Sequence, residues 1–122
     1  MKATWCALDR ASREMRAQQC AAAASEFVVD LEAWGSFGGR ARPLFIYALM
    51  ELGACTLAEA ITPGVGIADT LMRHKLYTQL ALAIRDLHAS QLIHLDIKPQ
   101  NILLTESGDV RLADLGLATV FD

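Results

Sequence analysis

His94-Leu95-Asp96-Ile97-Lys98-Pro99-Gln100-Asn101, followed thirteen residues after Asn101 by Asp114-Leu115-Gly116, is the stretch on which the reading of this chain turns. Between the two motifs, apolar runs at 102–104 and 110–113 predict two short strands joined by the polar turn Glu106-Ser107-Gly108-Asp109. Upstream, Leu76, Leu80, Ala83, Ile84 and Leu87 fall on one stripe and predict a long helix over 69–89. Before it, Thr56-Leu57-Ala58-Glu59 is a capping box that opens a short helix, which Thr62-Pro63-Gly64 ends. Further out, β-rich runs at 28–34 and 44–50 predict strands separated by a hairpin loop over 35–43, marked by its glycines and Pro43. Leu8, Ala11 and Met15, with residues 18–22, share one face and predict a first helix over 8–23. The order is helix, two strands, helices, two strands, an α+β arrangement.

The 122 residues allow one small domain. Lysine and arginine number 11 and acids 14, so the net charge is 11 − 14 = −3, with no basic excess to neutralise a nucleic-acid backbone. Hydrophobic residues make up 53%, high for so small a domain, so either something else covers much of the surface or the sequence is part of a larger domain. The longest apolar run, 44–50, is too short to span a bilayer. Asp9 and Arg10 break the N-terminal apolar stretch, against a secretory signal. Arg10, Arg13 and Arg16 along one helix raise a mitochondrial presequence, against which Asp9 and Glu14 argue. Cys6, Cys20 and Cys55 form no C-x-x-C pair and read as free thiols of a reducing, intracellular compartment, cytoplasmic or nuclear.

The residue types of the deciding stretch suit one chemistry. Phosphoryl transfer needs a base near the acceptor hydroxyl, cations on the phosphates and oxygen ligands for Mg²⁺. Asp96 can take the proton, Lys98 can sit on the transferring phosphate, and Asn101 and Asp114 can supply metal oxygens. Magnesium prefers few protein carboxylates plus phosphate oxygens, which an Asn/Asp pair satisfies. Taken singly, each residue has a plainer reading. Asp and Asn favour turns, a lone histidine is more often packed than catalytic, and Gly108 and Gly116 are simple turn glycines. His74 and His88 read as surface and packing residues, and Met50, Trp34 and the leucine stripe of the long helix as core.

Together the motifs resemble the protein-kinase catalytic loop H-R-D-L-x-x-x-N followed by D-F-G. The match falls on His94, Asp96 and Asn101, and Lys98-Pro99 is the variant typical of serine/threonine-type kinases. Five fixed positions agree by chance in about one window in a million at average residue frequencies, which decides against ordinary turn residues. The resemblance implies a fragment of the bilobal kinase fold: helix C, strands four and five, hinge, helices D and E, catalytic loop and the strand pair around the second motif. It divides the chain into the remainder of the small lobe (1–50), hinge (51–55) and start of the large lobe (56–122), with the Gly-rich loop and everything from the activation segment onward outside this sequence. It implies transfer of the ATP γ-phosphate to a serine or threonine hydroxyl of a protein substrate, with Mg²⁺. Met50 takes the gatekeeper position, and the backbone of Glu51 and Gly53 faces the adenine edge. Glu14 takes the place of the helix C glutamate that pairs with the strand-three lysine, for which Lys2 at a strand end is the candidate.

Two departures stand out. Leu95 replaces the usual arginine, so the expected activity does not use a phosphate switch on the activation loop. Leu115 replaces phenylalanine and keeps an apolar plug beside helix C. Arg13-Glu14, Val28-Val29, Ala33-Trp34, the loop and Asp-Leu-Gly also resemble the Wee/Myt inhibitory kinases of the cell cycle. Two other functions compete: a non-catalytic half-domain that binds a partner or nucleotide as a decoy, and a small-molecule phosphotransferase. The latter shares H-x-D with a downstream Asn and Asp but usually differs at Lys98-Pro99 and Gly116.

Overall fold

The computed structural model describes residues 2–39, 42–62 and 69–121, with side chains at positions 10, 12–38, 45–62 and 69–121. Helix α1 (Lys2–Ala24) is followed by the antiparallel hairpin β1 (Leu31–Gly39) and β2 (Arg42–Met50). Then come β3 (Cys55–Thr56), the single-turn helix α2 (Leu57–Ala60) and the long α3 (Thr70–Ala89). Strand β4 (Leu92–Ile93) leads to a 3₁₀ turn (Pro99–Asn101), and β5 (Ile102–Leu104), β6 (Val110–Leu112) and β7 (Thr119–Val120) complete the order. The arrangement is α+β, as the sequence implied.

The helix starts follow local chemistry. Thr56 caps α2, its hydroxyl accepting from the Glu59 N–H at 3.1 Å, the predicted capping box. Asp69 caps α3 in the same way, accepting from the Leu71 N–H at 2.9 Å. From α3 the residues Leu76, Ala83 and Leu87 are buried, one stripe of the expected face. They meet Ile102, Leu104, Val110 and Leu112 of the β5–β6 hairpin, with Ala21 of α1 and Leu115 joining the same cluster.

The small-lobe remnant is stitched to this hairpin by backbone. Residues Phe27 to Val29 run parallel to Leu112, whose N–H donates to the Phe27 carbonyl at 2.7 Å and whose carbonyl accepts from Val29 N–H at 3.0 Å. Gln18 of α1, itself buried, donates from Nε2 to the Val29 carbonyl. This corrects the strand expected from residue 28: that run splits, its first part bridging to β6 and only Leu31 onward pairing with β2.

The hairpin differs from expectation too. Ladder pairing continues through Gly35, Phe37 and Gly39 opposite Tyr47, Phe45 and Arg42, so most of the loop expected at 35–43 is strand. Glycines did not stop it because a register shift between Phe37 and Gly38, with Gly38 at φ 135°, absorbs the irregularity as a bulge. Phe37 and Phe45 stack across the pair at 5.9 Å. Residues 40–41, and the Pro63-Gly64 stop after α2, lie outside the described residues. Helix α1 begins at Lys2, not residue 8, and the short strands β3, β4 and β7 were not foreseen; two-residue strands carry no periodicity to read. No helix among the described residues is long and apolar enough to cross a membrane.

Candidate functional site

The loop after β4 is organised by His94, which is buried. Its Nε2 sits 2.8 Å from the Ala113 carbonyl, and its Nδ1 accepts from the Asp96 N–H at 3.1 Å. A carbonyl can only accept and an N–H can only donate, so this pairing places the ring hydrogen on Nε2. The histidine thereby ties the Asp96 loop to the residue just before Asp114. A second tie comes from Asn101, whose carbonyl accepts from the Ala113 N–H at 2.8 Å. Ala113 is held on both sides, and this brings the two distant motifs together.

Asn101 is buried and spends its amide on the same loop. Its Nδ2 donates to the Asp96 carbonyl at 2.9 Å and to Asp96 Oδ2 at 3.1 Å. With both amide hydrogens used, Oδ1 is what Asn101 has to offer a cation. Lys98 Nζ lies 3.6 Å from Asp96 Oδ2, so both neighbours converge on one carboxylate oxygen and Oδ1 of Asp96 stays available to a proton donor. Pro99 opens the 3₁₀ turn that swings Asn101 back beneath Asp96, its missing N–H costing nothing at that first position.

Asp114 and Leu95 both adopt left-handed backbone, φ 57° and 65°. Asp tolerates that region through local hydrogen bonding, and here Asp114 Oδ1 accepts from the Gly116 N–H at 3.1 Å, which leaves Oδ2 for a cation. For Leu95 it is strained backbone of the kind that persists where the surroundings over-determine it. Leu115 is buried in the core, the apolar plug expected.

Glu14 reaches this corner from α1. A Cβ at Gly116 would stand 3.1 Å from Asp114 Oδ1 and 3.5 Å from Glu14 Oε2, so a bare glycine lets the two carboxylates share one spot. Burial first, and the Asp114 charge second, push the Glu14 carboxyl above the ordinary glutamate value. Lys2 does not stand at a strand end. It is the first residue of the helix that carries Glu14, and twelve residues of helical rise separate the two positions by about 18 Å.

At the hinge, the Glu51 N–H donates to the Asp30 carbonyl at 3.1 Å, which turns the chain out of β2. Its side chain, not singled out from sequence, has Oε1 2.7 Å from Arg111 Nε on β6. Among the described residues the Glu51 carbonyl and the Gly53 N–H enter no backbone bond of this segment. Gly53 packs on Leu103, where a Cβ would come within 3.1 Å. Met50 is half exposed rather than core, since it lies at the end of a two-stranded ribbon with one face uncovered.

Sequence reasoning missed a polar clamp between α3 and the β5–β6 turn. Gln79 Nε2 donates to Asp109 Oδ1 at 2.9 Å while its Oε1 accepts from the Val110 N–H at 2.7 Å. Lys75 lies 2.9 Å from Asp109 Oδ1 and donates to the Ser107 carbonyl at 3.1 Å. Its signal was two polar residues, i and i+4, beside the apolar stripe of α3.

Asp96, Lys98 and Asn101 thus come together, Ala113 ties the chain just before Asp114 to that loop, and Glu14 stands beside Asp114 at Gly116, while Met50, Glu51 and Gly53 lie where β2 ends. Comparison with known proteins bears on the family of the chain. The chain is 39% identical over 79 residues, 63% of its length, to CBL-interacting protein kinase 22 of Oryza sativa subsp. japonica. It is 38% identical over 73 residues, 60% of its length, to a probable serine/threonine-protein kinase CHK1 homolog of Encephalitozoon cuniculi. To the serine/threonine-protein kinase grp of Drosophila melanogaster it is 35% identical over 86 residues, 70% of its length. These matches span 18%, 17% and 17% of the three relatives. The profile described as protein kinase domain matches residues 2–122, both motifs and the helix bearing Glu14 included, and the chain belongs to that family.

Proposed function

We propose that this segment forms the phosphoryl-transfer centre of a protein kinase, moving the ATP γ-phosphate to a serine or threonine hydroxyl of a protein substrate. The observation that supports the reading is the convergence on Asp96: Asn101 and Lys98 both address Oδ2, at 3.1 and 3.6 Å, and Ala113, the residue before Asp114, is bonded to both His94 and Asn101. Asp96 Oδ1 accepts the hydroxyl proton as the oxygen attacks phosphorus. Lys98, whose side chain is half exposed, neutralises charge on the phosphoryl oxygens in flight.

Kinases of this family use ATP with Mg²⁺, and the donor set here suits that ion: one amide oxygen from Asn101 and one carboxylate oxygen from Asp114, with room for phosphate oxygens and water. When bound, Mg²⁺ neutralises developing charge on the phosphates and orients them. The Glu51 carbonyl and the Gly53 N–H, which enter no turn or loop backbone bond among the described residues, supply an acceptor and a donor to an adenine edge, beside Met50 as gatekeeper. Glu14, crowded by Asp114, is a position that gains from a cation, which fits pairing with a lysine from elsewhere in the kinase. We take residues 1–50 as the remainder of the small lobe, 51–55 as hinge and 56–122 as the start of the large lobe. Leu95 offers no charge to a phosphorylated activation loop, so activity proceeds without that switch. Cys20 and Cys55 are unpaired, in keeping with a reducing intracellular compartment.

The test uses the full-length protein that carries this segment. Asp96→Asn is expected to lower turnover by about 10²–10⁴-fold with ATP affinity roughly retained, and Asp114→Ala to weaken binding of the metal–nucleotide complex. Equal turnover in the first variant removes Asp96 from the base role, and unchanged binding in the second removes Asp114 from the metal.

A further inference from the structure

The cation ligands flank the open end of a small hairpin, away from its turn. Asn101 immediately precedes β5, and Asp114 follows β6 after one residue, so their spacing depends on how β5 and β6 are held. The ladder between them has three residue pairs, Ile102–Leu112, Leu103–Arg111 and Leu104–Val110. On their outer edges β5 pairs with β3 and β6 is bridged by Val28. The turn that joins them is held by one stripe of α3. Lys75 and Gln79 grip the turn through Ser107, Asp109 and Val110. Met72 packs under Gly108, which has φ 79° and where a Cβ would fall 2.7 Å from the Met72 Cε. The same helix runs on through β4 to His94 and Asp96, so α3 touches both halves of the site without contributing a residue that touches substrate.

We propose that Gln79 is a positioning residue for the cation-ligand pair, locking the Asp109–Val110 turn to α3 and thereby setting Asn101 and Asp114 relative to Asp96. The proposal rests on the reading of Asn101 and Asp114 as the cation's ligands. Gln79 is suited to it because its amide uses donor and acceptor at once, on two consecutive residues of the turn. Removing it leaves the Val110 N–H at the first residue of β6 without its acceptor and loosens the turn end of the hairpin against α3.

The experiment measures Mn²⁺ binding in the presence of ATP by electron paramagnetic resonance, and hydrogen exchange at the Ala113 amide, in the full-length protein. Gln79→Ala and the isosteric Gln79→Glu are expected to weaken Mn²⁺ binding about tenfold, the size usual for residues that orient ligands, and to speed exchange at Ala113. Gln79→Glu keeps an acceptor for Val110 N–H and holds the fold where the alanine variant does not. The double variant Gln79→Glu with Asp109→Asn reverses the donor and acceptor and keeps a negative charge one turn from Lys75, so it is expected to restore both readouts. A purely structural role would lower Tm and leave the affinity of the folded protein for Mn²⁺ unmoved; that result, or loss of affinity that the double variant fails to restore, overturns the proposal. Asp114→Ala serves as the control. If it binds Mn²⁺ as wild type does, the ligand assignment fails and the proposal with it; if it binds weakly while Gln79→Glu binds normally, only the positioning role is lost.

Discussion

Single side chains in this site do more than one job, and Glu14 shows the cost. It sits within reach of Gly116 beside Asp114, and burial followed by that like charge holds its proton on the folded chain above the ordinary value of 4.5. The sign follows from proton counting: over the window above 4.5 the folded state binds more protons than the unfolded state, so stability is fullest below that window and declines as pH rises through it. Glu14→Gln is therefore expected to raise the Tm of this chain at neutral pH and to flatten its fall between acid and neutral conditions, measured by a thermal melt series. A lower Tm for the variant at neutral pH would mean that a cation already compensates Glu14. His94 shows the opposite economy, with both ring nitrogens satisfied and both motifs joined through one residue.

At the scale of elements, α3 is the part on which the rest is hung. Its start depends on Asp69, the cap on the Leu71 N–H. Asp69→Ala is expected to destabilise the chain by about 1 kcal/mol, read as a lower urea midpoint with unchanged slope. Its middle grips the β5–β6 turn. There the Gln79 hydrogen bond first, then Lys75, hold the Asp109 carboxyl below its ordinary 3.8. That contribution is present above 3.8 and is lost as pH falls below it, the reverse of Glu14. The pair is largely solvent-screened, so its part in stability is small and its part in register is the larger one.

For the whole molecule, apolar surface is the salient property. Leu71 and Tyr77 on α3 are each 74% exposed, and Leu57, Ile61, Leu76, Leu80, Ile102 and Val110 border an apolar groove of about 430 Å³ between α2, α3 and the hairpin. On the other side, Phe37, Phe45, Tyr47 and Leu49 leave a face of the β1–β2 ribbon uncovered. Patches of this kind drive association. The 122-residue chain by itself is expected to bind 8-anilinonaphthalene-1-sulfonate and to sediment with rising mass across a concentration series, and Leu71→Gln with Tyr77→Gln to reduce both. A monomer at every concentration with no dye binding would contradict this.

The sequence by itself determined the family motifs and the local elements: the capping box at Thr56, the stripe Leu76, Ala83 and Leu87, and the spacing from Asp96 through Asn101 to Asp114. These are legible because hydrogen-bond capping, helical periodicity and short motifs act over a few residues. Only the tertiary structure decided the rest. The β1–β2 ribbon ran through its glycines because pairing across strands outweighs local preference. Residues Phe27 to Val29 left that ribbon for β6 because backbone groups there found partners far along the chain. Lys2 stayed in a helix, Met50 stayed half exposed, and Gln79 found Asp109 thirty residues away. Each of these outcomes depends on a contact between segments distant in sequence, and neither composition nor periodicity encodes such a contact.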